Sequence, residues 1–313
     1  MCIRDRYWKV DLNILVHAKV GGAIIATQST VTIIKSRFEG NSAEIGGAIF
    51  ANDGSKITII NSTFKDNYAV CATDLAETCF QIGGVLHSES VFISTSSLNH
   101  INQSQVIVVD SEFSSNNALY GGVMSLFNTE VSFTSSKFFN NSAGVFCGVN
   151  QEQAVTNETV VCLNKTEDGS AQWSGGVLFL AHSSTADIDR SQFYYNTAFS
   201  DGGVLYVTIQ SAVTINNSEF WNNTVLDGSG GVIYLVNISK AAITNKSWFY
   251  KNAAYNSGAG GVLAAFMQSS VTIHDSDFWS NWGQFAGGVF YVHDVIMTIQ
   301  SSLTMLYTIK EVS

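Results

Sequence analysis

The sequence predicts an all-β fold, a right-handed parallel β-helix solenoid of about nine coils with two cysteine-containing loop insertions. Two motifs recur in phase along its 313 residues. A glycine pair followed by a small and then a large apolar residue occurs nine times, and a Phe-x-x-Asn quartet occurs eight times. Seven of the eight intervals from glycine pair to quartet are 17 to 19 residues long. Such spacing indicates one structural unit copied along the chain and stabilised by its neighbours.

The quartets supply two sets of equivalent residues. Stacked coils lie about 4.8 Å apart, so equivalent residues superpose. We expect the phenylalanines to close the inner layer and the asparagines to pair their side-chain amides between coils, at left-handed corners that asparagine tolerates. Each glycine pair marks another corner, where a Cβ would clash with the adjacent coil. The phenylalanines are Phe38, Phe64, Phe113, Phe138, Phe193, Phe220, Phe249 and Phe278. The asparagines are Asn41, Asn67, Asn116, Asn141, Asn196, Asn223, Asn252 and Asn281.

Each unit contains short strands, because two of its stretches alternate with period two and none has a sustained helical period. In the unit that begins at Gly202, Leu205 and Val207 are expected to point inward from the first strand, and Val213 and Ile215 from the second. A unit of roughly 25 to 30 residues with two or three short strands suits one coil of a three-sided β-helix.

One domain is predicted over residues 21–300, where the motifs keep their phase without a linker. We expect residues 1–20 to be a leader and a partial coil. Residues 1–6 resemble a translated sequencing-adaptor sequence, so we expect them not to be native. The repeat fades over residues 301–313, which we expect to be a degenerate or truncated end of a fragment.

Insertions are expected at 69–82, 90–101 and 144–172, where the repeat spacing lengthens. Four cysteines lie in the first and third of them: Cys71, Cys79, Cys147 and Cys162. A local disulfide in each insertion fits a small excursion in an oxidising compartment, and reduced thiols are the alternative. The cysteine spacing is too wide for a typical zinc site.

Composition excludes several classes of function. The chain is 46% hydrophobic and 13% charged, with a formal net charge of −10 and no proline. Without a basic cluster, neither nucleic acid nor an anionic membrane surface is an expected partner. No apolar run reaches the roughly 18 residues that span a bilayer, and no metal or cofactor motif occurs.

The paired motifs resemble the polymorphic outer membrane protein repeat, known from chlamydial surface autotransporters and from other bacterial and protist surface proteins. The resemblance is carried by the run Phe38-Glu39-Gly40-Asn41 followed by Gly46-Gly47-Ala48-Ile49, and it covers most of the chain. Seven of the nine glycine motifs have valine where that pattern has alanine. The resemblance implies a pectin-lyase-like β-helix with an extracellular adhesive or interaction role, and it implies no catalytic residue.

Parallel β-helices also include pectin-active lyases and hydrolases, so a carbohydrate-active enzyme is the alternative function. The nearest carboxylate pair is Asp187 and Asp189, which are expected to face solvent from one strand. No second acidic pair recurs in the adjacent coils, and His274 and His293 are interpreted as incidental surface residues. We therefore predict no catalytic site.

Two aromatic ranks are candidates for binding. The first follows the ladder phenylalanine directly and holds Phe139, Tyr194, Trp221, Tyr250 and Trp279. The second lies four residues after the first glycine and holds Phe179, Tyr206, Tyr234 and Tyr291, with Ala264 interrupting it. If strand alternation holds, both face outward and suit a surface protein or glycan, from a host or from a second copy. The alternative is that an insertion covers them or that the corner turns them inward. The predicted location is extracellular or at the cell surface, which is the outer membrane if the protein is bacterial.

Overall fold

The structure is a computed structural model that describes residues 7–8, 11–12, 17–70, 81–90, 103–144, 174–300 and 304–306. Every regular element in these residues is a β-strand. The strands form four sheets, named A to D in the order in which a coil crosses them after its glycine pair. Within each sheet, neighbouring strands belong to successive coils, and they pair in parallel through backbone hydrogen bonds. The chain is therefore a right-handed parallel β-helix.

The coils are numbered one to nine from the glycine pairs, so coil one begins at Gly21 and coil nine at Gly287. The strands of sheet A are Ile24–Thr27, Ile49–Asn52, Leu86–Glu89, Met124–Phe127, Leu178–Ala181, Leu205–Val207, Ile233–Leu235, Leu263–Ala265 and Phe290–Val292. Those of sheet B are Tyr7–Trp8, Thr30–Ile34, Lys56–Ile60, Ser104–Val109, Thr129–Thr134, Thr185–Asp189, Ala212–Asn216, Lys240–Thr244, Ser270–His274 and Ile296–Gln300.

Sheets C and D complete each coil. The strands of sheet C are Asp11–Leu12, Arg37–Glu39, Thr63–Lys65, Glu112–Ser114, Lys137–Phe139, Gln192–Tyr194, Glu219–Trp221, Trp248–Tyr250, Asp277–Trp279 and Thr304–Leu306. Those of sheet D are His17–Val20, Ser42–Ile45, Tyr68–Ala69, Asn117–Ala118, Ser142–Ala143, Thr197–Ala198, Thr224–Val225, Ala253–Ala254 and Trp282–Gly283.

Each complete coil has four strands, so the expectation of a three-sided coil with two or three strands is wrong. The additional strand lies in sheet D, directly after the ladder asparagine, and is two residues long in most coils. It buries a single inward side chain, such as Ala198 or Val225. One buried residue produces no alternation in the sequence, and the segment therefore resembles a turn.

The core is centred on the eight ladder phenylalanines. Each is at most 1% exposed. Their rings form one stack, with neighbouring centroids 4.6 to 5.0 Å apart and ring planes within 6° of parallel. Leu205 and Val207 of sheet A and Val213 and Ile215 of sheet B fill the same core. Burial of each such side chain contributes about 1.5 to 3 kcal/mol, so the core supplies the main stabilisation.

The glycine pairs form the corner between sheets D and A. Gly202 has a φ of +66°, a left-handed conformation that side chains rarely adopt. A Cβ on Gly203 would lie 2.2 Å from the carbonyl oxygen of Gly231 in the next coil. The first glycine is therefore needed for its backbone angle and the second for close contact between coils.

The ladder asparagines form a second internal rank. Nδ2 of Asn223 donates to Oδ1 of Asn252 in the next coil at 3.0 Å, and to the carbonyl oxygen of Phe193 in the preceding coil at 2.9 Å. The backbone N–H of Asn223 also donates to Oδ1 of Asn252. The ladder asparagine was expected to adopt the left-handed conformation, and this expectation is wrong. The residue before it does so instead, such as Asn222 with a φ of 53°. That residue turns the chain so that the following amide points inward.

A serine two residues before each ladder phenylalanine forms a third rank, which the sequence analysis missed. The backbone N–H of Ser191 donates to Oγ of Ser218 at 3.1 Å, and Ser218 Oγ donates to the carbonyl oxygen of Asn216 at 2.8 Å. Its members are Ser36, Ser62, Ser111, Ser136, Ser191, Ser218, Ser247 and Ser276. The signal was present, because the quartet reads Ser-x-Phe-x-x-Asn in all eight copies.

The sheets keep their register on both sides of the three predicted insertions. Coil two pairs with coil three through Phe64 and Phe113, and coil four pairs with coil five through Phe138 and Phe193. The four cysteines and the disulfides predicted for them lie outside the described residues. The part of the chain that the structure describes contains no helix long and apolar enough to cross a membrane.

Candidate functional site on the outer face of sheet C

The outer face of sheet C carries aromatic side chains in coils four to eight. They stand directly after the ladder phenylalanines, so strand alternation directs them away from the core. Strand register places each beside the next. All are half-buried, neither in the core nor fully exposed. We name these five residues the aromatic stripe: Phe139, Tyr194, Trp221, Tyr250 and Trp279.

The first three rings of the stripe stack face to face. The centroids of Phe139 and Tyr194 are 5.1 Å apart, with planes at 5°. Those of Tyr194 and Trp221 are 4.5 Å apart, with planes at 4°. Both faces of Tyr194 are therefore covered, and only ring edges remain for another molecule. Burial raises the pKa of Tyr194 and the charge of Glu112 raises it further, so the hydroxyl stays neutral and able to donate at pH 7.

A further tryptophan, which the sequence analysis missed, lies beside the C-terminal end of the stripe. Trp248 stands before its ladder phenylalanine, and its ring lies parallel to that of Tyr250 with centroids 5.6 Å apart. Trp279 is inclined to both rings, at 65° to Trp248 and 61° to Tyr250. Lys251 Nζ lies 4.8 Å from the centroid of Tyr250. A hydrogen bond with Tyr250 raises the pKa of Lys251, which stays cationic.

The same positions in the first three coils are charged or polar, with Glu39, Lys65 and Ser114 in place of aromatic residues. Arg37 and Glu39 form an ion pair at 2.6 Å, and Lys65 lies 3.8 Å from Glu39 and 3.5 Å from Asp66. The outer face of sheet C is thus divided along the solenoid axis. Among the residues that the structure describes, the aromatic side chains of this face lie in its C-terminal half.

The second aromatic rank lies on the outer face of sheet A. The rings of Phe179 and Tyr206 are 5.2 Å apart, and those of Tyr206 and Tyr234 are 5.1 Å apart. Ala264 does not leave a gap after them, because Phe266 lies 5.3 Å from Tyr234. Phe266 also lies 5.7 Å from Tyr291, the last member of the rank. The spacing of the motif could not show that a residue two positions later fills the place of Ala264.

A carboxylate that the sequence analysis missed lies beside this rank. Asp201 directly precedes the glycine pair of coil six, and its Oδ1 accepts the backbone N–H of Ser229 at 2.8 Å. Burial raises the pKa of Asp201 to about 6, and the charge of Asp227 adds to the shift. Burial, with the charge of Asp201, raises the pKa of Tyr206 to about 12. The local charge therefore changes near pH 6 while the phenol stays neutral.

On the outer face of sheet A, the side chains of His87 in coil three and Ser125 in coil four are buried. His87 is 1% exposed and stacks on Phe50 with centroids 5.7 Å apart. Its Nε2 lies 3.5 Å from Oε2 of Glu89, and the hydrogen bond to His87 lowers the pKa of Glu89. Ser125, beside His87 in register, has no exposed surface. These two side chains are therefore buried, and this part of sheet A offers no exposed large apolar side chain within the described residues.

The two carboxylates considered for catalysis, Asp187 and Asp189, do not form an acid–base pair: Asp189 is hydrogen-bonded to its neighbours and Asp187 is exposed. Oδ2 of Asp189 accepts Nε of Arg190 at 2.8 Å, and Oδ1 accepts Nδ2 of Asn216 at 2.7 Å. Asp187 lies on the same face and is exposed. His274 and His293 are also exposed. Within the described ranges, no three His, Cys, Asp or Glu residues are grouped so that they could hold a metal ion.

No protein-family model, curated protein or solved structure matches this chain. The grounds for a function are therefore the sequence motifs and the surface of the molecule itself.

Proposed function

We propose that this chain is a non-catalytic β-helical scaffold, secreted or displayed at a cell surface, that binds a partner through the aromatic stripe. The repeat motif that resembles polymorphic outer membrane proteins supports this location and role. In a bacterium the location would be the outer membrane. The two internal ladders support the mechanical part of the proposal, because coils one to eight are joined to one another by stacked rings and by amide hydrogen bonds.

The aromatic stripe is the observation that carries the proposal. Large apolar side chains on the outside of a soluble protein are uncommon as a contiguous group, and they mark contact surfaces. The stacking of Tyr194 on Trp221 holds the rings in place before a partner arrives. A partner therefore gains contact area at a small cost in side-chain entropy.

A protein partner fits the stripe better than a sugar. Sugar rings bind aromatic residues by lying on an open ring face, and both faces of Tyr194 are covered by Phe139 and Trp221. Tyr194, at the centre of the stacked part of the stripe, therefore presents its ring edge and hydroxyl rather than an open ring face. Such an edge suits the side chains of another folded protein, for which tyrosine and tryptophan are preferred contacts.

Adhesion of coated beads tests the proposal. Beads carrying the wild-type chain, the Trp221→Ser/Trp279→Ser variant or the Tyr255→Ser variant would be applied to immobilised extracellular proteins, to immobilised glycans and to beads coated with the same chain. Tyr255 is 45% exposed but lies outside sheet C, which makes it the matched control. We expect saturable adhesion to a protein surface that falls at least tenfold for the double variant and is unchanged for the control.

Two results would contradict the proposal. Adhesion that survives loss of both tryptophans would show that the stripe is only packing. Release of product from a panel of soluble and polymeric glycans would instead support the enzyme alternative, in which case variants of Asp187 and Asp189 become the next test.

A further inference from the structure

We infer that the aromatic stripe binds a second copy of this chain, with the two solenoids antiparallel and sheet C packed against sheet C. The inference rests on the proposed function, since it names the partner of the same surface. It follows from the order of residues along the outer face of sheet C, which is complementary to itself.

The order of aromatic residue types along the stripe is almost the same from either end. Consider a two-fold axis in the contact plane, perpendicular to the solenoid axis and passing beside Trp221. This axis reverses the order of the coils but keeps each rank opposite the same rank, as an isologous contact requires. Tyr194 then faces Tyr250 of the second copy, Phe139 faces Trp279, and Trp221 faces itself. Every aromatic residue of the stripe meets another aromatic residue.

The charges beside the stripe obey the same symmetry. Lys137 stands two positions before Phe139 in coil four, and Asp277 stands two positions before Trp279 in coil eight, both on the outer face of sheet C. Neither forms an ion pair within the described residues. The two-fold axis brings Lys137 of each copy opposite Asp277 of the other. Opposite charges at both ends fix the register of the contact.

The corner after the stripe adds a third complementary pair. Tyr195 is 54% exposed in coil five. The exposed Lys251 occupies the same corner in coil seven. The axis places Lys251, whose ammonium lies over the Tyr250 ring of its own chain, opposite Tyr195 of the second copy, so that a second aromatic ring meets the same cation. One pair opposes the contact, since Glu219 meets Glu219 at the axis.

The surface that the dimer would bury is small. Coils four to eight extend over about 19 Å at the spacing of stacked strands. A patch of this height on one narrow sheet falls in the class of weak, transient interfaces. We therefore expect a weak monomer–dimer equilibrium in which the dimer is populated at high protein concentration.

Sedimentation equilibrium of charge variants tests the inference. Lys137→Asp or Asp277→Lys alone should weaken the dimer by about tenfold or more, because each places two like-charged pairs in the interface. A mixture of the two single variants should form a heterodimer tighter than either homodimer, since both charge pairs are restored. Glu219→Gln should tighten the wild-type dimer by a few fold. Lys240→Asp, an exposed charge change on sheet B, should have no effect.

The outcomes separate this inference from the proposed function. A wild-type chain that remains monomeric at about 1 mM would overturn the dimer, while adhesion to another protein that requires Trp221 would leave the proposed function standing. A dimer that forms equally well with Lys137→Asp, Asp277→Lys and Trp221→Ser would place the interface elsewhere and overturn the inference.

Discussion

Phe220 and Trp221 are adjacent in the chain, and their side chains leave sheet C on opposite faces. Phe220 has no exposed surface and stacks between Phe193 and Phe249, with centroids 4.8 Å from each. Trp221 is half-buried and stacks on Tyr194 at the surface. A substitution of Phe220 should therefore affect mainly the stability of the coil, and a substitution of Trp221 mainly its outer surface.

Phe220→Ala is expected to cost about 3 to 5 kcal/mol of the free energy of unfolding, because it leaves a cavity in the stack. Trp221→Ser removes one surface stacking contact and should cost about 1 to 2 kcal/mol. Urea unfolding gives both values. Hydrogen exchange should place the Phe220→Ala loss in coils five to seven, since each coil contacts only its neighbours. Equal costs for the two variants would contradict the assignment of inner and outer faces.

Asn223→Ala should cost about 3 kcal/mol or more. Oδ1 of Asn223 accepts the backbone N–H and Nδ2 of Asn196, and its Nδ2 donates to the carbonyl oxygen of Phe193. Alanine removes these buried hydrogen bonds and leaves the backbone N–H of Asn196 without this acceptor, and each such loss costs about 1 to 3 kcal/mol. Asn222→Gly is the control, because glycine adopts the left-handed backbone there without steric cost and the substitution should change stability little. A thermal midpoint for Asn223→Ala equal to that of the control would exclude the hydrogen-bonded ladder.

Asp201 should make stability depend on pH. Its pKa of about 6 in the folded state lies above the ordinary value of 3.8, so the folded state binds the proton more tightly than the unfolded state. The resulting stabilisation is present below about pH 4 and is lost as the pH rises to about 6. Asp201→Asn keeps an acceptor for Ser229 and removes this loss.

The Asp201→Asn variant should therefore be more stable than the wild type at pH 7, by at most about 3 kcal/mol and by less where solvent screens the carboxylate. Unfolding free energies at pH 4 and pH 7 check the sign. A variant whose advantage does not grow between these two pH values would show that Asp201 is solvated like an ordinary surface carboxylate.

Ile238→Asn should stabilise the protein by about 1 kcal/mol. Ile238 is 50% exposed and has a φ of 61°, a left-handed conformation that is unfavourable for a β-branched residue and tolerated by asparagine. Ile25→Asn is the control, since Ile25 is 36% exposed without a positive φ. Thermal unfolding measures both. A gain at Ile25 as large as at Ile238 would show that lost surface hydrophobicity, and not backbone strain, is responsible.

The sequence was sufficient for the fold because the residues that define it recur in phase. Phe, Asn and Gly each occupy a position that only their chemistry satisfies, and the repeats make that visible. The fourth strand was not predictable from alternation, since Ala198 is the single inward residue of its strand. The serine rank could have been found, because Ser218 and its equivalents are as regular as the phenylalanines.

The surface was less predictable than the core. Strand alternation placed Trp221 on the outer face of sheet C, but the stacking that covers its neighbour Tyr194 depends on ring rotation. The contact of Phe266 with Tyr234 joins different ranks, and the environment of Asp201 includes Ser229 and Asp227, which lie more than 25 residues away in the chain. Such contacts depend on side-chain shape and not on the period of the repeat.

Oxidative footprinting of the adhered chain tests the central claim most directly, because it reports which side chains a partner covers. Hydroxyl radicals would be applied to the free chain and to the chain bound to its protein surface or to a second copy. We predict that oxidation of Trp221 and Tyr250 falls several-fold on binding, while that of Tyr255 does not change. Unchanged oxidation of the stripe, with protection elsewhere, would contradict its role as the contact surface.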